Sequence, residues 1–298
     1  IGCLAVLYLC YRVFGLALAL FGAVSLLYFF VSSFMPGIFK AEFGGYRSIA
    51  DNLWFNNSKA VLGSKLGILL NNVLPFIIFG SLLSATGAAK SLITIAFFLM
   101  RRTRGGPAHA AVLASGLFGS VSGSAVSNVV GTGVITIPMI KKRGYAPSFA
   151  GGVEATASTG GQIMPPIMGA AALVMADLTG TAYLDIMIAA LIPALAYYLS
   201  LFVTVVFESR RMDMQVQSLD ELDPVTRQDY INVILLVLLP LFIVIWRLVQ
   251  GASPAGPALT AIVAILLLSA FSPTVRQQPA LLLKAIWQGG VTFGRLLM

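Results

Sequence analysis

The stretch GLFGSVSGSAVSNVVGTG, Gly116 to Gly133, decides how the rest of the chain is read. It gathers five glycines, four serines, Asn128 and Thr132 without a charge, between runs made mostly of Leu, Ile, Val, Ala and Phe. Arg101-Arg102-Thr103-Arg104 precedes it and Lys141-Lys142-Arg143 follows. Short loops rich in Lys and Arg stay on the cytoplasmic side of a membrane, so both flanks share one face. Residues 105–140 must then enter and return. Each arm has about 14 residues, roughly 21 Å of helix, short of the ~30 Å hydrocarbon core. The geometry that fits is a re-entrant helical hairpin with its tip inside the membrane. Non-helical backbone at that depth is tolerated only in protein or against a water-filled cavity. Glycines let the chain turn there, and hydroxyls supplement the exposed backbone.

The bulk numbers require a membrane. Of the 298 residues, 10% are charged and 58% hydrophobic, against ~25% charged in a soluble domain. Mean hydropathy is +0.91. So little polar surface cannot cover a soluble fold. The chain reads as an all-α polytopic membrane protein, since the short alternating strands of a β-barrel are not visible. The net charge of +8 comes from Lys and Arg in short groups between apolar runs. That is topology information, not a nucleic-acid footprint. Cys3 and Cys10 match no metal or redox spacing and read as small hydrophobes.

Outward from the hairpin, five regions are expected. Residues 1–65 hold a crossing from Val13 to Met35 and an aromatic-bearing outer connection. Residues 66–104 hold a scaffold crossing, interrupted at Pro75, and an amphipathic arm from Lys90 to Arg104 lying on the membrane surface. Residues 105–180 are the transport region. Residues 181–211 form one crossing. Residues 212–298 hold a polar loop, a helical pair (Ile231–Val249 and Ala258–Phe271) and the lead-in to a second half. Within the transport region, Ala150 to Ala176 contains EATASTGGQIMPP, Glu154 to Pro166. Paired glycines and paired prolines do not sit in an intact helix interior, so this crossing is expected to be broken.

A hairpin tip and a broken helix, both unwound at mid-depth, are parts from which secondary transporters build binding sites. Carbonyls and Ser, Thr and Asn oxygens can replace the hydration shell of Na⁺, while helix N-termini favour an anionic group. The expected ion ligands are Ser122, Gly123, Ser124, Ser127 and Asn128 from the tip, with Thr156, Ser158, Thr159 and Gly160 from the break. The expected substrate contacts are Ser124, Glu154, Gln162 and Pro165. Glu154 is the lone carboxylate between Asp51 and Asp177, and an acid inside a crossing is a functional candidate as ion ligand, proton carrier or anchor. The alternative is that the small residues only let helices pack closely, with Glu154 reaching water at a helix end. No P-loop occurs. Ser122 with His109, the only histidine, would be the pair of an intramembrane serine protease, but the G-x-S-x-G spacing is absent.

The segments GLFGSVSGSAVSNVVGTGVITIPMIKKRGY and FAGGVEATASTGGQIMPPIMGAAALVMA closely resemble the large membrane subunit of tripartite ATP-independent periplasmic (TRAP) transporters. The fused permease type that works with TAXI binding proteins is the nearest in appearance. The resemblance is specific over Leu117 to Ala176 and weaker over Arg12 to Arg210. It implies a permease of the bacterial inner membrane that imports organic acids with Na⁺ and takes them from a periplasmic TAXI-type substrate-binding protein. It also implies a small membrane subunit or fused equivalent, no organic cofactor, and the first half of an inverted-repeat elevator fold. The second half, with its own hairpin and ion site, is absent after Ala258, so a truncated fragment is expected. A carrier that needs no binding protein and a passive structural subunit stand as alternatives.

Overall fold

The computed structural model describes residues 2–41, 46–54, 63–216 and 224–297, and every regular element among them is a helix. The α-helices are α1 (Gly2–Phe14), α2 (Leu16–Val31), α3 (Tyr46–Trp54), α4 (Ser64–Ile68), α5 (Leu74–Ala85) and α6 (Ala88–Met100). Then follow α7 (Gly106–Ser122), α8 (Ala125–Lys142), α9 (Pro147–Gly160), α10 (Ala170–Thr179) and α11 (Tyr183–Arg211). The last are α12 (Arg227–Asn232), α13 (Leu239–Val249), α14 (Ala255–Leu268), α15 (Pro273–Gln277) and α16 (Ala280–Leu297). Four stretches are long and apolar enough to cross a bilayer: Leu16–Phe34, Leu66–Ala85, Tyr183–Arg211 and Arg227–Val249. The chain is a multi-pass helical membrane protein.

Two of these stretches carry a π-helical turn, Leu69–Val73 and Val233–Leu238, each ending just before a proline, Pro75 or Pro240. A proline has no N–H for the i−4 carbonyl and its ring crowds that carbonyl. Widening the preceding turn relieves the crowding without ending the helix. Pro75 therefore does not interrupt the crossing as the sequence suggested.

The chain divides into two compact units, residues 1–70 with 291–298, and residues 71–290. In the first, α1 packs on α2 across Gly15, which turns the chain at φ 86°. In the second, α7 and α8 fold back on one another and α9 packs against both. Ala108, Ala111, Ala150 and Ala157 line that core, and small residues let helix backbones approach closely. The arm α6 buries Ile93, Ala96 and Phe97 against Ala110 and Ala114 of α7. The arm expected to lie on the membrane surface thus has part of its apolar face packed against the hairpin. The hairpin arms are also longer than expected, at 17 and 18 residues, or about 26 Å each. Gly131 and Gly133 stay helical inside α8, which shortens the non-helical tip.

Candidate functional site

The tip is only Gly123-Ser124. α7 ends at Ser122, and Gly123 takes the left-handed conformation (φ 60°) with its N–H on the Gly119 carbonyl at 2.9 Å. Ser124 is extended and caps α8 by accepting the Ser127 N–H at 3.3 Å. Glycine is required at 123 twice over, because a Cβ there would also strike the Met168 carbonyl.

The second break runs from Gly161 to Gly169, with a cis Pro165–Pro166 peptide. It lies directly on the tip. The Ile167 N–H donates to the Ser120 carbonyl at 3.1 Å, and Tyr183 Oη donates to the carbonyls of Pro166, at 3.1 Å, and Ile167. Gly119 and Gly161 meet back to back. A Cβ on Gly119 would sit 2.6 Å from the Gly161 Cα, and one on Gly161 would sit 2.5 Å from the Gly119 Cα. Four helix ends therefore converge: the C-termini of α7 and α9 and the N-termini of α8 and α10. The negative dipole ends of α7 and α9 favour a cation, and the N-termini of α8 and α10 favour an anion.

The expected site residues divide into two groups. Ser122, Gly123, Ser124 and Gln162 come together at this convergence; a Cβ on Gly169 would touch the Gln162 Cβ at 3.2 Å and the Gly123 carbonyl at 3.5 Å. Ser122 is buried and its hydroxyl has no partner; His109 Nε2 is the other such buried side-chain atom among the described residues. Pro165 is half-buried beside them. Ser127 and Asn128 belong to the first turns of α8, and Asn128 is fully buried, with Nδ2 donating to the Ser115 carbonyl at 2.8 Å to tie the hairpin arms.

The second group lies in α9, which stays helical through Gly160, so Thr156, Ser158, Thr159 and Gly160 are not unwound as the sequence suggested. Unwinding starts only where Gly160-Gly161 and the prolines combine. Thr156 and Thr159 are exposed, and Thr159 Oγ1 donates to the Ala155 carbonyl at 2.7 Å. Gly160 makes room for Tyr197, since a Cβ would lie 2.5 Å from its ring. Tyr197 and Tyr198 donate to the Thr156 and Ala157 carbonyls at 2.8 and 2.7 Å and fasten α9 to α11.

Glu154 is fully buried between α7, α8 and α9. Its Oε1 accepts from Ser115 (2.9 Å), Ser158 (3.2 Å) and Thr132, and its Oε2 from Thr136 (2.6 Å). This places Glu154 inside a closed polar knot that joins the hairpin to α9. Ser115, Thr132 and Thr136 were missed from sequence. A signal existed, for Asn128, Thr132 and Thr136 recur every four residues and mark one polar stripe on α8. His109 stands 13 residues from Ser122 on one helix, about 20 Å along its axis. The two do not form a protease pair.

At the base of the hairpin, Tyr145 Oη and Ser209 Oγ are 2.6 Å apart, and Ser209 donates to the Val205 carbonyl. The Tyr145 phenol lies above its ordinary pKa, chiefly because it is buried, although the Ser209 bond pulls the other way. No group of three or more His, Cys, Asp or Glu capable of holding a metal occurs among the described residues.

Fold and site together define a multi-pass helical membrane protein whose backbone is broken at two places that meet, an arrangement found in the binding sites of secondary transporters. Residues 1–298 match the family model of the tripartite ATP-independent periplasmic transporter, DctM component, and the chain belongs to that family. It is a transporter permease component and not an enzyme. It is similar to the C4-dicarboxylate TRAP transporter large permease protein DctM of Vibrio cholerae, 37% identical over 154 residues, covering 48% of this chain and 34% of that protein. The protein of the same name from Pseudomonas aeruginosa is 34% identical over 135 residues, covering 45% of this chain and 31% of that one. The sialic acid TRAP transporter large permease protein SiaM of Vibrio cholerae is 31% identical over 91 residues, covering 30% and 21%. The matched stretches thus span about a third or less of these relatives' own lengths.

Proposed function

We propose that this chain supplies the first cation-binding half of the membrane permease of a binding-protein-dependent, Na⁺-coupled importer of small organic acids. The supporting observation is the buried, unpartnered Ser122 hydroxyl at the junction of four helix ends. An orphaned buried hydroxyl costs roughly 1–3 kcal/mol unless something else satisfies it. A hard monovalent cation held by that hydroxyl and the terminal carbonyls of α7 and α9 satisfies it. The donor set is all oxygen, which suits Na⁺ and not a transition metal. The N-termini of α8 and α10 offer N–H groups and positive dipole ends to a carboxylate nearby, with Ser124, Gln162 and Pro165 as its neighbours. Glu154, closed in its knot, is assigned to holding the hairpin on α9. Family membership supports a periplasmic substrate-binding protein, of TAXI type by sequence resemblance, as the donor of substrate. It also supports a small membrane subunit or fused equivalent as the companion, a bacterial inner-membrane location, and an elevator-like movement of the hairpin region.

The test is uptake by the full-length protein in vesicles with its binding protein. Uptake should require Na⁺, and Ser122→Ala should raise the half-saturating Na⁺ concentration about tenfold or more, the value of one charge-assisted contact. Full uptake without Na⁺ refutes the coupling. Full uptake without the binding protein favours the self-sufficient carrier.

A further inference from the structure

An apolar groove of about 410 Å³ runs between α7 and α11, within the ~300–1,000 Å³ range of small-ligand sites. Val112, Leu117, Met164, Leu195, Leu199 and Phe202 shape it. Along α7 it extends from Val112 to Ser120, about 12 Å. The hydroxyls on its wall, Ser120 and Tyr198, are spent on the Leu117 and Ala157 carbonyls, which leaves few polar groups to orient a soluble ligand. Leu195 and Leu199 stand 54% and 64% exposed on its rim, so it opens sideways.

One end of this groove reaches the hairpin base. Phe202 packs on His109 with ring centroids 4.1 Å apart. His109 lies beside Gly105, where a Cβ would meet its Cε1 at 3.0 Å, the Tyr145 hydroxyl at 2.9 Å, and Ser209 Oγ. Arg104 precedes Gly105 and Arg210 follows Ser209, and both are exposed. Tertiary packing therefore brings two arginines from distant parts of the chain to the same end of an apolar trough. Arg210 also falls eleven residues after Leu199 on α11, three turns along the same stripe. α7 carries no acid, and Glu208 is drawn to Arg211 at 2.8 Å.

We propose that this trough is a binding site for an anionic phospholipid, with one acyl chain along Val112, Leu117, Leu199 and Phe202 and the headgroup phosphate between Arg104 and Arg210. The length, the apolar wall and the sideways opening fit an acyl chain entering from the bilayer. Guanidinium groups are matched to phosphate by their forked donors. The proposal does not rest on the cation reading above, although the end of the groove away from the arginines touches Pro165.

The experiment places a photo-crosslinking phenylalanine analogue at position 199 of the full-length protein. The protein is reconstituted in vesicles of equal parts phosphatidylglycerol and phosphatidylethanolamine, and the adducts are weighed by mass spectrometry. Each arginine should weight the ratio about fivefold toward phosphatidylglycerol. Arg104→Gln with Arg210→Gln should return adducts to equal shares, while Arg102→Gln, off the trough, should leave the preference in place. Equal adducts in the unsubstituted protein overturn the proposal. So does a crosslink from position 199 to another segment of the same chain, and so does a preference that survives loss of both arginines.

Discussion

Replacing Glu154 by Ala tests whether the buried knot behaves as its geometry requires. Four hydroxyls lose an acceptor, and at about 2 kcal/mol for each stranded group the loss would approach ~8 kcal/mol. Three of them have somewhere to turn. Ser115 faces Thr132 Oγ1 at 3.1 Å, Thr132 faces the Asn128 carbonyl at 2.8 Å, and Thr136 faces the Thr132 carbonyl at 3.1 Å. Ser158 has the carboxyl as its side-chain partner and is left stranded, at roughly 2 kcal/mol. About one further kcal/mol comes from the lost methylene and its packing. The expected loss is about 3 kcal/mol, a fall of roughly 6–10 °C in melting temperature for a chain of this size. Differential scanning fluorimetry in detergent reads it, and Glu154→Ala with Ser158→Ala should recover part of the loss, because the stranded hydroxyl is gone. A melting temperature within about 2 °C of the parent refutes the knot, since each kcal/mol moves it by at least that much. Failure to fold refutes the turning of the hydroxyls.

Gly119→Ala drives a methyl onto the Gly161 backbone, which has no side chain to yield, and should cost about 3 kcal/mol and abolish uptake. Thermal unfolding and vesicle uptake check both effects. Ser124→Ala removes the cap of α8 and should lower stability by about 1 kcal/mol, while Ser124→Asp, which keeps a capping oxygen, should not. Burial raises the Tyr145 phenol above its ordinary value, so the folded state holds that proton more tightly than the unfolded chain. Its stabilising share is complete below about pH 10, where the unfolded phenol titrates, and falls as pH rises through the higher folded value. Tyr145→Phe should therefore flatten the melting temperature between about pH 9 and 11 relative to the parent.

What sequence alone determined was where the chain must span and where it must break. Charge placement and apolar runs act locally, so basic groups around Gly105 to Ile140 and the Gly/Pro pairs near Pro165 already defined the hairpin and the second discontinuity. The extent of unwinding was not local. Gly131, Gly133 and the Thr156–Gly160 run are helical because packing on neighbouring helices outweighs weak intrinsic propensity. Three further facts came only from the tertiary structure. Gly119 meets Gly161, Glu154 closes on Ser115, Thr132 and Thr136, and Arg104 stands with Arg210 at one end of an apolar trough. Each joins residues 18 to 106 positions apart, and contacts across such separations depend on how helices pack and not on any periodicity within one of them.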